Sequence, residues 1–178
     1  MDKIKIRDLE FVKYISSEEI DAAVESVAAQ VNEEYKNDVP LILVTLNGAI
    51  IFASDLIKKL TIPCFVSCIK ISSYSGTKST NVINNLIGLN EDLSGRRVLI
   101  VEDIVDTGRT YEYLWNELTQ RGVKDIKMAT MTIKDEAYKK DMPVDFVGIH
   151  IPDKFVIGRG LDYDGLGRNL PDIYQIIK

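Results

Sequence analysis

The sequence predicts an α/β protein built on a central, mainly parallel, twisted sheet flanked by helices. Two observations predict this class. Continuous apolar runs, typical of strands buried on both faces, alternate along the chain with amphipathic helical segments. The 178 residues also show no break in composition, and a chain of this length can form one well-packed core. We therefore expect a single domain over residues 1–178.

The predicted elements follow a regular order. The first helix opens at Ser16 and Glu19, which form a capping-box pattern, and continues to Val31 with apolar residues at helical spacing. The predicted strands are "PLILVTL" (40–46), "PCFVSCIKI" (63–71), "RRVLIVEDI" (96–104), "IKMATMTI" (126–133) and "DFVGIHI" (145–151). Two further helices, "AIIFASDLIKKL" (49–60) and "YEYLWNELTQRG" (111–122), lie between strands. Sheets of this kind bind ligands at the carboxyl ends of their strands.

The composition disfavours several classes of function. A net charge of −5 argues against a general role on nucleic acid or at a membrane surface, although a local basic pocket for a phosphorylated small molecule stays open. Asn47 and Gly48 interrupt the long apolar run at 39–57, which predicts a strand, a turn and a helix rather than a membrane span. The first residues lack the apolar stretch of a secretory signal, so we expect a cytoplasmic protein. Cys64 and Cys68 lie in a predicted strand without a histidine cluster, which indicates reduced thiols.

Three carboxylates crowd the segment "LIVEDIVDTGRT" (99–110). Glu102 and Asp103 stand where the predicted strand ends, and Asp106 follows in the turn. Burying unpaired carboxylates costs several kcal/mol or forces them to take up protons, so we expect a cation or a hydroxyl-rich ligand to meet them. One acid could simply cap the following helix. Three acids together with two threonines and a glycine favour a binding site.

The turn at 106–110 is typical of an anion site. Backbone N–H groups at the helix N-terminus would hold a phosphate, and Gly108 permits a close approach. The hydroxyls of Thr107 and Thr110 and the guanidinium of Arg109 add further donors. Because the neighbouring acids cannot hold the same phosphate, we expect them to bind hydroxyls or a hard metal ion. A ligand with a phosphate beside adjacent hydroxyls is a ribose 5-phosphate.

The segment "VEDIVDTGRT" (101–110) resembles the phosphoribosyl pyrophosphate signature of the purine phosphoribosyltransferases. From about residue 8 nearly to its end, the chain is similar to members of that family that act on hypoxanthine and guanine. Four segments match in the expected order: "TLNGA", "SSYSGTKST", "VEDIVDTGRT" and "IPDKFVIGRGLDYDGLGR". The resemblance implies a type I phosphoribosyltransferase-like fold with a small C-terminal hood over the base site. It also implies transfer of a 5-phosphoribosyl group from phosphoribosyl pyrophosphate to N9 of the purine, which gives IMP or GMP and pyrophosphate.

The resemblance further implies roles for individual residues. Glu102 and Asp103 would bind the ribose hydroxyls, and residues 106–110 would bind the 5-phosphate. The catalytic group would be Asp106, through N7 of the purine. The purine-binding residues would be a lysine that donates to the 6-oxo group, an aromatic that stacks on the base, and a backbone contact to the purine edge: Lys134, Phe155 and Val156.

The pyrophosphate end of the implied site comes from three separate segments. Its residues would be Leu46, Asn47, Gly48, Ser73, Tyr74 and Arg168. Magnesium would be the cofactor, with Glu102, Asp103 and Asp162 as its carboxylates. Asn47 departs from the family pattern, because similar enzymes often carry a lysine there that faces pyrophosphate. The polar loop at 72–81 is expected to close over the reacting groups and exclude water.

Two alternatives compete with this interpretation. An RNA-binding regulatory protein that retains a phosphoribosyl pyrophosphate site would need a basic surface, which the net charge of −5 and the complete purine-side segment oppose. An adenine or pyrimidine phosphoribosyltransferase is opposed by Lys134 and the "DKFVIG" segment. We expect a homodimer or a homotetramer, with phosphoribosyl pyrophosphate and 6-oxopurine bases as ligands. His150, the only histidine, is assigned no role.

Overall fold

The computed structural model describes residues 3–72, 84–87 and 91–177. The elements in chain order are β1 (Lys3–Ile6), β2 (Leu9–Ile15), α1 (Ser17–Glu34), β3 (Leu41–Leu46), α2 (Ile50–Lys59), β4 (Phe65–Ser72), β5 (Asn84–Ile87), β6 (Arg97–Val105), α3 (Arg109–Gln120), β7 (Asp125–Lys134), β8 (Phe146–Ile151), β9 (Val156–Ile157) and β10 (Ile173–Ile176). They form two sheets, one of six strands and one of four.

The six-stranded sheet has the order β5-β4-β3-β6-β7-β8. Its strands β4, β3, β6, β7 and β8 run parallel to one another, while β5 pairs with β4 in the antiparallel direction. The predicted central, mainly parallel sheet is therefore confirmed, and all five predicted strands are present. Apolar side chains cover both faces of the central strands, as the long apolar runs indicated.

Helix α1 begins as the sequence predicts. The Ser16 hydroxyl accepts a hydrogen bond from the Glu19 N–H at 3.3 Å, and the Glu19 carboxylate accepts one from the Ser16 N–H at 2.9 Å. These bonds satisfy two backbone donors that the first turn leaves free. The helix buries one face against the sheet, through Ile20, Val24, Val27, Ala28 and Val31. None of the helices in the described ranges is long and apolar enough to cross a membrane.

The four-stranded sheet has the order β1-β2-β10-β9 and forms the predicted hood. All of its strand pairs are antiparallel. Two of its strands come from the N-terminus, so the hood is built from both ends of the chain rather than from the C-terminus alone. Charged and apolar residues alternate in β1, a period typical of a half-buried strand. Phe11, Ile157 and Tyr174 form its small buried core.

Candidate active site

Glu102, Asp103 and Lys134 lie near the ends of neighbouring parallel strands, at one edge of the main sheet. Glu102 and Asp103 lie within β6, which ends one residue later than the predicted strand at 96–104. Strand β6 continues to Val105, which pairs with Ile133 of β7. The continuation keeps both carboxylates on a rigid strand instead of on the following turn.

Glu102 is a buried acid for which the described part of the chain supplies no ion pair with a lysine, arginine or histidine. Its side chain has little contact with solvent, and the Thr45 hydroxyl lies 2.6 Å from Oε2. The other oxygen, Oε1, is buried and has no hydrogen-bond partner among the residues that the structure describes. Burial and the neighbouring Asp103 charge raise the pKa of Glu102. An orphaned acceptor of this kind is suited to a hydroxyl or a cation that arrives with a ligand.

Asp103 follows Glu102 in β6, and the backbone of Gly48 packs closely against its carboxylate. Burial raises the pKa of its carboxyl, while backbone N–H groups and the Arg168 charge act in the opposite direction. A Cβ atom added to Gly48 would stand 1.8 Å from the Asp103 Oδ2. A side chain at this position, in the turn after β3, would therefore require the Asp103 carboxylate to move. In the same turn, the peptide bond between Leu46 and Asn47 is cis.

The loop after β9 brings Asp162 and Arg168 over the same edge. The Arg168 guanidinium donates to the Gly160 carbonyl oxygen at 2.7 Å and pairs with Asp162 at 2.7 Å. Gly160 in turn touches the turn after β3, since a Cβ there would lie 2.0 Å from the Gly48 carbonyl oxygen. The backbones of Gly160 and Gly48 thus bring the loop after β9 into contact with the turn that packs against Asp103.

The predicted phosphate turn leads directly into α3. Gly108 is the N-cap of this helix, with φ +74°, and no side chain caps the helix. Asp106 is therefore not a helix cap. Thr107, Arg109 and Thr110 are exposed around the first turn, where backbone N–H groups lack partners within the helix. These features are suited to an anion, as predicted.

Gly108 also has a neighbour that sequence reasoning missed. A Cβ at this position would lie 2.4 Å from Cε2 of Tyr138. The Tyr138 hydroxyl donates to the Met142 carbonyl oxygen at 2.7 Å, which fixes the ring over the turn. Glycine is required here both by the positive φ and by this contact. Tyr138 is in a charged segment with no pattern of its own, so the sequence held no signal for the contact.

Lys134 forms the centre of a second group of charges. Its side chain is only 9% exposed, yet its Nζ donates to Asp106 Oδ2 at 2.9 Å and to Asp153 Oδ1 at 3.1 Å. Burial alone would lower the pKa of this lysine, but the hydrogen bonds to the two carboxylates outweigh it and the net shift of the pKa is upward. The ammonium is therefore held in its charged form. Asp153 was not among the predicted site residues.

The hood supplies an aromatic surface next to Asp153. Phe155 is 44% exposed. The centroid of its ring lies 6.0 Å from that of Tyr163, in an edge-to-face arrangement, and 6.3 Å from that of Phe11. Val156 follows as a buried residue of β9. An exposed ring supported by two others can stack a flat heterocycle on its free surface.

Some predicted residues are not placed by the structure. Ser73 and Tyr74, and the loop at 73–81, lie outside the described residues. Within the described ranges, no group of three or more histidine, cysteine, aspartate or glutamate side chains is arranged to hold a metal ion. Glu102, Asp103 and Asp162 therefore do not form a closed three-carboxylate site by themselves. Cys64 and Cys68 are free thiols, as predicted.

Comparison with known proteins identifies the family. Residues 16–164 match the family model of the phosphoribosyl transferase domain. The chain is 36% identical to a hypoxanthine-guanine phosphoribosyltransferase of Aquifex aeolicus, over 97% of this chain and 98% of that one. It is 40% identical to a protein of the same name from Bacillus subtilis, over 89% of each chain.

A solved structure agrees with these sequence matches. The crystal structure of a hypoxanthine-guanine phosphoribosyltransferase from Bacillus anthracis superimposes with a TM-score of 0.86 at 30% identity. The superposition covers 94% of this chain and 97% of that one, so both the main sheet and the hood have counterparts. The chain therefore belongs to the phosphoribosyltransferase family, within the group of hypoxanthine-guanine phosphoribosyltransferases.

Proposed function

We propose that this protein is a purine-salvage enzyme. It transfers the 5-phosphoribosyl group of phosphoribosyl pyrophosphate to N9 of hypoxanthine, and of guanine, and releases pyrophosphate. One observation carries the proposal: the phosphate turn, two ribose-side acids and a charged lysine that can meet a 6-oxo group lie at one sheet edge, in a chain of this family. The RNA-binding alternative has no comparable support, since the net charge is −5.

The phosphoribosyl group is held by β6 and the start of α3. Thr107, Arg109 and Thr110, with the backbone N–H groups of the helix start, bind the 5-phosphate. Glu102 and Asp103 accept hydrogen bonds from the ribose hydroxyls. The Glu102 oxygen that has no partner in the described structure supports this role, because a hydroxyl would supply the missing donor.

The purine is bound between the hood and the lysine. Phe155 stacks on the ring, the Val156 backbone meets its edge, and Lys134 donates to the 6-oxo group. An ammonium has only hydrogen-bond donors. It can therefore donate to a 6-oxo oxygen, whereas a 6-amino group offers it no acceptor. Asp106 faces N7 and takes up its proton as N9 attacks the anomeric carbon.

The leaving pyrophosphate lies under the hood. Arg168 and the backbone of residues 46–48 meet its negative charge, and Asn47 leaves that turn without a cationic side chain. Glu102, Asp103 and Asp162 are oxygen donors, which are the ligands that Mg²⁺ prefers, and they would hold it together with substrate oxygens and water. Bound there, Mg²⁺ would offset the charge that develops on the leaving group.

One assay tests the whole proposal. The protein is mixed with Mg²⁺, phosphoribosyl pyrophosphate and one base at a time, namely hypoxanthine, guanine, xanthine or adenine, and the nucleotide is identified by chromatography. IMP and GMP should form, and AMP should not. Formation of AMP alone, or of no nucleotide from any base, would contradict the proposal.

We also place the protein in the cytoplasm as a homodimer or homotetramer. Phe65 and Val66 support self-association, since they are 54% and 51% exposed on adjacent positions of β4. Consecutive strand residues point to opposite faces, so both faces of this strand end are open in the single chain. Light scattering should give twice or four times the mass of the single chain, which is 20.1 kDa. A monomer at micromolar concentration would contradict the assembly.

A further inference from the structure

Lys134 is shared by two carboxylates that come from different loops. Asp106 belongs to the phosphate turn after β6, and Asp153 belongs to the turn after β8. The two N–O distances, 2.9 Å and 3.1 Å, are nearly equal. The ammonium therefore lies between Asp106 on the proposed phosphate side and Asp153 on the proposed base side of the site. Two of its three hydrogen-bond donors are used.

The reaction as proposed takes one of these partners away. When the purine binds, Asp106 turns to N7 and its negative charge is committed to the base. Lys134 is buried at the end of β7, where an ammonium without a counter-ion is costly. Asp153 is the one other carboxylate hydrogen-bonded to it among the described residues.

We propose that Asp153 is the positioning residue that retains Lys134 as a donor to the 6-oxo group after Asp106 has turned to N7. This inference rests on the proposed function. Asp153 does not touch the reacting atoms and acts through the lysine. It lies two residues before Phe155 in the chain.

Loss of the Asp153 charge should have a defined consequence. Lys134 would then have Asp106 as its only partner and would form a closer pair with it. That pair withholds the Asp106 carboxyl group from N7 and draws the ammonium away from the 6-oxo group. Recognition of a 6-oxopurine should weaken, while the phosphate turn, which Asp153 does not contact, should be unaffected.

The experiment measures binding of three probes by titration calorimetry: IMP, AMP and ribose 5-phosphate. The test variant is Asp153→Asn, which keeps the size of the side chain and removes its charge. IMP affinity should fall about tenfold, the order of one charge-assisted hydrogen bond. Ribose 5-phosphate affinity should not change, and the preference for IMP over AMP should decline. Asp153→Glu, which restores the charge, should recover part of the IMP affinity.

Asp135→Asn is the matched control. Asp135 follows Lys134 in the chain and is 61% exposed, against 57% for Asp153, but it pairs with His150 at 2.9 Å instead of with the lysine. This control should leave all three affinities unchanged. A double-mutant cycle with Lys134→Ala adds a second readout, because Asp153→Asn should have no further effect once the lysine is absent.

The outcomes separate this inference from the function on which it rests. If the parent protein prefers IMP to AMP but Asp153→Asn binds all three probes as the parent does, the positioning role is wrong and the proposed function stands. Equal losses for IMP and ribose 5-phosphate would also overturn the positioning role, since they indicate a general structural defect. If the parent protein binds none of the probes, both proposals fail.

Discussion

Two pairs of carboxylates lie at the same edge of the sheet and differ in how their charge is met. Glu102 and Asp103 are packed into β6, and no lysine or arginine ion pair with either is found in the described structure. Asp106 and Asp153 are about half exposed and share one buried lysine. The first pair depends on a ligand or a proton to be satisfied, whereas the second already shares one ammonium, which a ligand must draw away from it. Residues of one chemical type are thus prepared for opposite tasks by their surroundings.

The largest effect is expected at Asp106, one of the two carboxylates that share Lys134. Asp106→Asn removes the proton acceptor but keeps the size of the side chain, so the rate should fall roughly 10²–10⁴-fold, the usual range for a general acid–base group. Substrate binding should change far less. The measurement is single-turnover nucleotide formation with both substrates saturating. Turnover within a few-fold of the parent would contradict the catalytic role of Asp106. A loss of activity could not be explained by a lost helix cap, because the N-cap of α3 is Gly108.

The next effect concerns the lysine that joins this pair. Lys134→Ala should raise the KM for hypoxanthine and guanine about 10–100-fold, because a charge-assisted hydrogen bond to the 6-oxo group is lost. It also leaves two carboxylates facing the base site without a counter-ion. The KM for phosphoribosyl pyrophosphate should change much less, and steady-state kinetics with each substrate varied in turn would measure the difference. Equal losses for both substrates would contradict the role.

The buried pair should show its difference in the pH dependence of stability. Folding raises the pKa of Glu102 above its ordinary value of 4.5, so the folded ligand-free protein binds that proton more tightly than the unfolded chain. The stabilising contribution of Glu102 is fully present at pH values below 4.5. It is lost as the pH rises toward the raised pKa of the folded protein. Glu102→Gln removes the titration and should increase the free energy of unfolding at alkaline pH by about 1–3 kcal/mol, while activity falls.

Denaturant unfolding at a series of pH values, without Mg²⁺ or substrate, measures this effect. The parent and Glu102→Gln should have similar stability at acidic pH and diverge as pH rises. A variant less stable than the parent at every pH would show that the Glu102 charge is satisfied in the folded protein. The contrast between the two carboxylate pairs would then be wrong.

The smallest effect is expected at the hydroxyl that supports Glu102. Thr45→Val removes the hydroxyl's contacts to Oε2 and to the Val101 carbonyl oxygen at 2.9 Å. It should lower the free energy of unfolding by about 1 kcal/mol, and the part that comes from Oε2 should appear at pH values where the carboxylate is ionised. Thr132→Val is the matched control, since the Thr132 hydroxyl donates to the uncharged Asp103 carbonyl oxygen at 3.0 Å. Its cost should not depend on pH. The same pH profile for both variants would show that Thr45 does not interact with the Glu102 charge.

Much of the fold and part of the site could be predicted from local sequence patterns. The capping box of α1 involves residues three apart, and the phosphate turn lies in one continuous segment between β6 and α3. Apolar runs with strand length defined the parallel core. In these cases the interacting groups are near neighbours in the chain, so residue type and spacing largely decide the geometry.

The roles of single residues needed more than pattern. Lys134, Phe155 and Asp162 stood out through resemblance to a family, because a lysine at a strand end or an aromatic in a short strand has ordinary structural explanations. Lys134 ends β7 of the main sheet, whereas Phe155 and Asp162 belong to the hood and the loop after β9, and the roles of all three stay predictions. Thr45, Tyr138 and Asp153 were missed because nothing in their local sequence distinguishes them from residues of a core strand or a charged loop.

The sequence by itself determined the alternation of strands and helices, the start of α1 and the turn that leads into α3, since these depend on backbone propensities over a few residues. Only the tertiary structure decided the contacts between distant segments. The hood joins β2 to β10, and the Ser17 N–H donates to the Asp172 carboxylate 155 positions away. Lys134 hydrogen-bonds to Asp153 from 19 positions away, and Gly48 packs closely against the Asp103 side chain. Such contacts depend on strand order, register and the direction in which each side chain leaves the sheet, and periodicity along the chain specifies none of these.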